Sequence, residues 1–149
     1  ERRSETAHAI REQLDCAPEA CLALASVQEG NPLPALAEVE AEGLEPRWRR
    51  HQAVHDRLVQ SLQGQGLDIL PPQAERLWNL NAVTVPAGID EAAVRLHLLQ
   101  RSHIEIGAGL GPLAGRIWRV GLMGFGATME NVDRLMSALP AALADGRRA

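Results

Sequence analysis

The sequence predicts an α+β fold: a small, mainly antiparallel sheet with helices on one face, preceded by a helical N-terminal segment. Three observations carry this expectation. Short apolar runs at 67–70, 80–85, 104–106 and 117–123 are bounded by proline or glycine, as strands are. Two stretches at 90–102 and 128–139 repeat apolar residues at helical spacing behind a capping residue. Their order is strand, strand, helix, strand, strand, helix, which suits a layer of helices on an antiparallel sheet.

Residues 1–34 are alanine-rich, and Ile10 and Leu14 are four apart, so a helical segment is expected. Asn31-Pro32-Leu33-Pro34 marks a break, and residues 35–149 form the main domain. Leu36, Val39 and Leu44 lie among Glu38, Glu40 and Glu42, giving a short acidic helix that ends near Gly43. A longer helix follows, with Pro46 at its first position, where a missing N–H is harmless. Trp48, Val54, Leu58 and Leu62 should share one side of it, and Gly64 and Gly66 end it. Its Arg47, Arg49, Arg50, His51 and His55 are expected on a solvated face. Leu67–Leu70 and Leu80–Val85 are strands stopped by Pro71-Pro72 and Pro86-Ala87-Gly88. Asp90 caps a helix bearing Val94 and Leu98, and Ile104–Ile106 is a strand. Gly107–Gly115 is a glycine-rich loop, and Ile117–Met123 is a strand. Thr128 caps a helix with Val132, Leu135, Met136 and Leu139 on one face, and Pro140 should kink or end it.

Composition narrows the function. The 149 residues carry a net charge of -4, which gives no reason to expect a nucleic-acid partner or an acidic membrane. No apolar run is long enough to span a bilayer, and no secretory signal is visible, so a soluble, cytoplasmic protein is expected. Cys16 and Cys21 suit neither a disulfide framework nor a zinc site and are expected as buried apolar residues. The chain opens on Glu1 rather than Met, as a fragment or a trimmed chain would. All 15 of its basic residues are arginines.

The candidate chemistry lies late in the chain. Gly109-Leu110-Gly111-Pro112-Leu113-Ala114 matches a dinucleotide fingerprint by letters. That fingerprint needs a helix next, and here a strand follows, so a tight inter-strand connection is expected instead. The bare loop backbone could also approach a ligand or a neighbouring domain. On the following strand, Trp118, Val120 and Leu122 should pack on the helices. Ile117, Arg119, Gly121 and Met123 should point the other way. Arg119 is then a lone cation on the face turned from the helices. Position alone favours a structural salt bridge, for instance to Glu105. Its planar fork also suits a ligand carboxylate. His51 and His55 have a helical spacing that could bind metal, but no further ligand sits nearby in sequence, so no metal site is expected. Ser61, Ser102 and Ser137 lie in no nucleophile-elbow context.

Longer motifs add a resemblance. These are Arg76-Leu77-Trp78-Asn79-Leu80-Asn81-Ala82-Val83-Thr84-Val85-Pro86-Ala87-Gly88-Ile89-Asp90, Ile104 to Gly115, Trp118-Arg119-Val120-Gly121-Leu122-Met123-Gly124 and Glu130-Asn131-Val132. Together they resemble the C-terminal domain of class V aminotransferases. The alanine–glyoxylate, serine–pyruvate and ureidoglycine–glyoxylate aminotransferases are the most similar subgroup. Glu42-Gly43-Leu44-Glu45 with Trp48, Arg50 and His51 resembles the helix that precedes that domain. The resemblance spans about residues 38–143 and implies a homodimeric, pyridoxal-phosphate (PLP) enzyme of fold type I. Such an enzyme moves an amino group from a small amino acid to a 2-oxo acid such as glyoxylate or pyruvate. In that family the arginine at the position of Arg119 grips the substrate α-carboxylate. The cofactor's Schiff-base lysine and its other ligands lie in the family's large domain. This chain has no lysine, so no catalytic or cofactor-binding residue is expected in it, and alone it should be inactive. The competing expectation is a stand-alone, ferredoxin-like amino-acid-binding regulatory module with the same strand and helix order.

Overall fold

The structure, a computed structural model, describes residues 33–147. The expectations for Cys16, Cys21 and residues 1–32 lie outside the described residues. The chain divides into two compact units, Glu1–Arg49 and Arg50–Ala149.

In the first unit, helix α1 spans Leu33–Glu42 and helix α2 begins at Leu44, running on to Gly64. The expected break at 31–34 is where α1 starts: Pro34 falls in its first turn, where backbone N–H groups have no intrahelical partner. Gly43 separates the helices in the left-handed region, at φ 81, which a side chain would resist. Pro46 is the third residue of α2 rather than the first, still within the turn that tolerates it. Trp48 does not share the buried side of α2; it is 56% exposed. Arg47 pairs with Glu42 at 2.7 Å, and Arg49 with Glu45 at 3.1 Å.

The second unit holds a three-stranded antiparallel sheet of order β1-β3-β2, with β1 at Leu80–Thr84, β2 at Gly107–Ala108 and β3 at Ile117–Gly121. Helix α3 (Glu91–Ser102) connects β1 to β2, and helix α4 (Met129–Asp145) follows β3. β1 and β2 are therefore the outer strands of a split β-α-β unit with β3 inserted between them. The expected strand at 67–70 reduces to one bridge, Ile69 to Val83, because Pro71-Pro72 ends the ladder after Leu70 N donates to Ala82 O. The expected strand at Ile104–Ile106 is displaced to Gly107–Ala108. Ile104 instead closes the C-terminus of α3, its N–H bonding Leu98 O past His103 in the left-handed region.

Alternation places the core. Trp118, Val120 and Leu122 are buried, as expected, together with Val83 of β1. Against them pack Val54, Leu58 and Leu62 of α2, Val94 and Leu98 of α3, and Val132, Leu135, Met136 and Leu139 of α4. Each such side chain contributes about 1.5–3 kcal/mol of burial. The Trp118 indole N–H donates to Glu91 O at 3.2 Å, so its polar edge is satisfied inside the core. Both expected caps are present: the Asp90 side chain accepts from Ala93 N, and Thr128 Oγ1 from Asn131 N.

Pro140 does not end α4; the helix continues to Asp145. Proline cannot donate to the carbonyl four residues back, which is Met136 O. The Gln65 side chain supplies the donor instead, Nε2 to Met136 O at 3.1 Å. That the helix would not end at Pro140 was not legible, because the donor is 71 residues away in sequence.

Candidate functional site

Arg119 sits at the middle of the central strand. In the register it faces Ala82 on β1 and Gly107 on β2. Residues directly opposite in an antiparallel pair share a face, so Arg119 projects between two of the smallest side chains available. Its Nε donates to Ala108 O at 2.7 Å, which fixes the plane of the guanidinium. A Cβ built on Gly107 would lie 3.2 Å from Nη2 and 3.4 Å from Nε, so the guanidinium lies directly over that glycine.

Among the described residues, no carboxylate pairs with Arg119. The salt bridge to Glu105 is not formed; Glu105 is exposed in the segment before β2. Arg119 itself is half-buried. It therefore presents a fixed cation, with its Nη groups carrying no protein acceptor among the described residues.

The glycine-rich loop builds one wall beside it. It is the tight inter-strand connection expected, containing a single 3-10 turn at Gly111–Leu113 and no helix that could receive a pyrophosphate. Gly109 N donates to Ile117 O, and a Cβ on Gly109 would stand 2.0 Å from Leu113 O and 2.9 Å from Ile117 Cγ1. The loop thus folds onto its own backbone and covers Ile117, which is 3% exposed although it points away from the core. At the other end of the strand Met123 turns back, its Cε lying 3.5 Å from where a Gly121 Cβ would be.

Behind the strand lies a polar pin that the sequence reading missed. Asn81 pairs with Val120 across the β1–β3 ladder and is 2% exposed. His55 of α2 is 5% exposed, not on a solvated face as expected, and its Nδ1 lies 2.8 Å from Asn81 Oδ1. Asn81 Nδ2 in turn donates to Val120 O at 3.4 Å, leaving Oδ1 as the acceptor and Nδ1 as the donor. One signal was present: Asn81 has the parity of Val83, and a polar residue at a core position announces a buried partner. Arg50 also leaves the expected solvated face, donating to Gly124 O at 3.0 Å and Ala127 O at 2.8 Å and so bracing the turn after β3. His51 and His55 do not converge on a metal site; no group of His, Cys, Asp and Glu among the described residues could hold one.

Comparison with known proteins identifies the lineage of this sheet. No family model matches the chain. It is 43% identical over 110 residues to the alanine–glyoxylate aminotransferase of Mus musculus, covering 73% of this chain and 27% of that protein. The crystal structure of alanine–glyoxylate aminotransferase from Nostoc superposes with a TM-score of 0.72 at 44% identity, over 73% of this chain and 29% of that one. The ureidoglycine–glyoxylate aminotransferase of Bacillus subtilis superposes with a TM-score of 0.72 at 32% identity, over 93% of this chain and 34% of that one. The chain thus belongs to the class V aminotransferases and spans about a quarter of the length of the curated relatives it matches.

Proposed function

We propose that residues 35–149 are the C-terminal, substrate-gripping domain of a PLP-dependent aminotransferase, and that Arg119 holds the α-carboxylate of donor and acceptor. The observation that carries this reading is the unpartnered fork: Nε is tied to Ala108 O while no acidic side chain among the described residues meets the guanidinium. Both substrates of a transaminase carry a carboxylate, so one fixed bidentate cation serves both halves of the reaction. The relatives' names support a small amino acid as donor and glyoxylate as acceptor; pyruvate as acceptor rests on the resemblance of the sequence motifs.

The cofactor, when bound, supplies the electron sink for transamination. The residues of this chain do not fit its attachment. With no lysine among 149 residues, the chain has no side-chain amine for the cofactor's attachment, and arginine stays protonated. A larger PLP-binding domain must provide that group. Homodimeric assembly in the cytoplasm belongs to the same proposal and rests on the sequence reading alone. The split β-α-β unit also occurs in ferredoxin-like binding modules, but the identity to aminotransferases favours the enzyme.

Steady-state kinetics on an enzyme that joins this chain to its large domain test the proposal. Arg119→Lys keeps the charge but loses the fork and should lower kcat/KM about tenfold or more, from charge-assisted hydrogen bonds worth about 1.5–3 kcal/mol. Arg119→Ala should cost more, with PLP absorbance retained in both. Wild-type kcat/KM for both substrates in Arg119→Ala would end the carboxylate reading. The isolated chain should transaminate nothing, and borohydride reduction with PLP should label no internal residue; a specific internal label would contradict this.

A further inference from the structure

We infer that Gly107 and the Ala108 carbonyl decide which edge of Arg119 meets a carboxylate, making Gly107 a positioning residue; this rests on the carboxylate reading of Arg119. A guanidinium can hold a carboxylate bidentately through Nε and Nη2 or through Nη1 and Nη2. Nε carries one hydrogen, and that hydrogen goes to Ala108 O at 2.7 Å. The edge containing Nε is therefore closed, and the Nη1–Nη2 edge is the one offered.

The orientation depends on the absence of a side chain at 107. Gly107 faces Arg119 in the β2–β3 register, and its hypothetical Cβ would stand 3.2 Å from Nη2, 3.4 Å from Nε and 3.5 Å from Arg119 Cβ. The first two are tighter than comfortable packing, and the atoms crowded are those that set the fork. A methyl there requires the guanidinium to give by a few tenths of an ångström, against the bond that ties Nε to Ala108 O. The backbone itself does not require glycine: Gly107 is absent from the positive-φ glycines, so alanine adopts its conformation without strain. Substitution at 107 therefore perturbs the position of Arg119 while leaving its charge and the strand intact.

The test compares wild type, Gly107→Ala, Gly107→Val and Arg119→Ala in the aminotransferase containing this chain. Each is assayed with alanine and with ethylamine, the same amine lacking the carboxylate, by following the cofactor's absorbance in the donor half-reaction. Gly107→Ala should lower kcat/KM for alanine about tenfold, chiefly through KM, and Gly107→Val should lower it further, as expected for a misplaced binding group. Neither should change the rate with ethylamine or the melting temperature. If Arg119→Ala abolishes the preference for alanine while both Gly107 variants keep it, the positioning role is wrong and the carboxylate reading stands. If Arg119→Ala keeps the preference, the carboxylate reading itself fails. A marked fall in melting temperature for Gly107→Ala would show that glycine serves the fold rather than the fork, and would overturn the inference.

Discussion

Gln65 and Pro140 should behave as one unit. Pro140 interrupts the hydrogen-bond ladder of α4, and its ring crowds Met136 O, the carbonyl its missing N–H would have served. Gln65 Nε2 meets that carbonyl at 3.1 Å in a partly buried position. Gln65→Ala should destabilise the chain by about 1 kcal/mol, the net value of one such bond plus part of the cost of an unpaired carbonyl. Pro140→Ala restores a helical N–H to Met136 O and should stabilise, by less than the roughly 3 kcal/mol separating the two residues in an unsupported helix. In that background the carbonyl already has a partner, so Gln65→Ala should cost only a few tenths of a kcal/mol, an estimate that leaves a coupling of about 0.5–1 kcal/mol. Gln65→Glu, which sets an acceptor against an acceptor, should be worse than Gln65→Ala. Urea unfolding of the four proteins of the cycle measures this. Equal costs for Gln65→Ala with and without Pro140 would refute the argument.

Two further outcomes are expected. Asn81→Leu strands the buried Nδ1–H of His55 and should cost about 1–3 kcal/mol, whereas the double replacement with His55→Leu should recover part of it; additivity of the two single changes in a denaturation cycle would count against the pin. Gly109→Ala sets a Cβ 2.0 Å from Leu113 O. It should cost about 2–4 kcal/mol. Gly115→Ala meets only the penalty of its left-handed φ, about 1–2 kcal/mol, so the ranking of their melting temperatures tests whether contact or conformation dominates this loop.

Much of the fold was legible because its causes are local. Alternation alone assigned Trp118, Val120 and Leu122 to the core and Arg119 to the opposite face, since successive side chains on a strand must point to opposite sides. Asp90 and Thr128 marked helix starts because a cap acts on N–H groups only three residues away. The resemblance to aminotransferases rested on ordered motifs, and the matched relatives agree with it.

What the sequence could not decide depends on partners distant along the chain. His55 looked like a solvated helix residue until Asn81, 26 positions on, met it in the core. Arg50 reached carbonyls 74 and 77 residues away, and Gln65 rescued Pro140 across 71. Whether Arg119 pairs with Glu105 turned on the β2 boundary, which lies two residues beyond Glu105 and aligns Gly107 with the arginine. Periodicity and capping are short-range properties that one stretch of chain carries whole. Hydrogen-bond pairing between elements is settled only when the sheet register and the helix packing bring donor and acceptor within about 3 Å of each other.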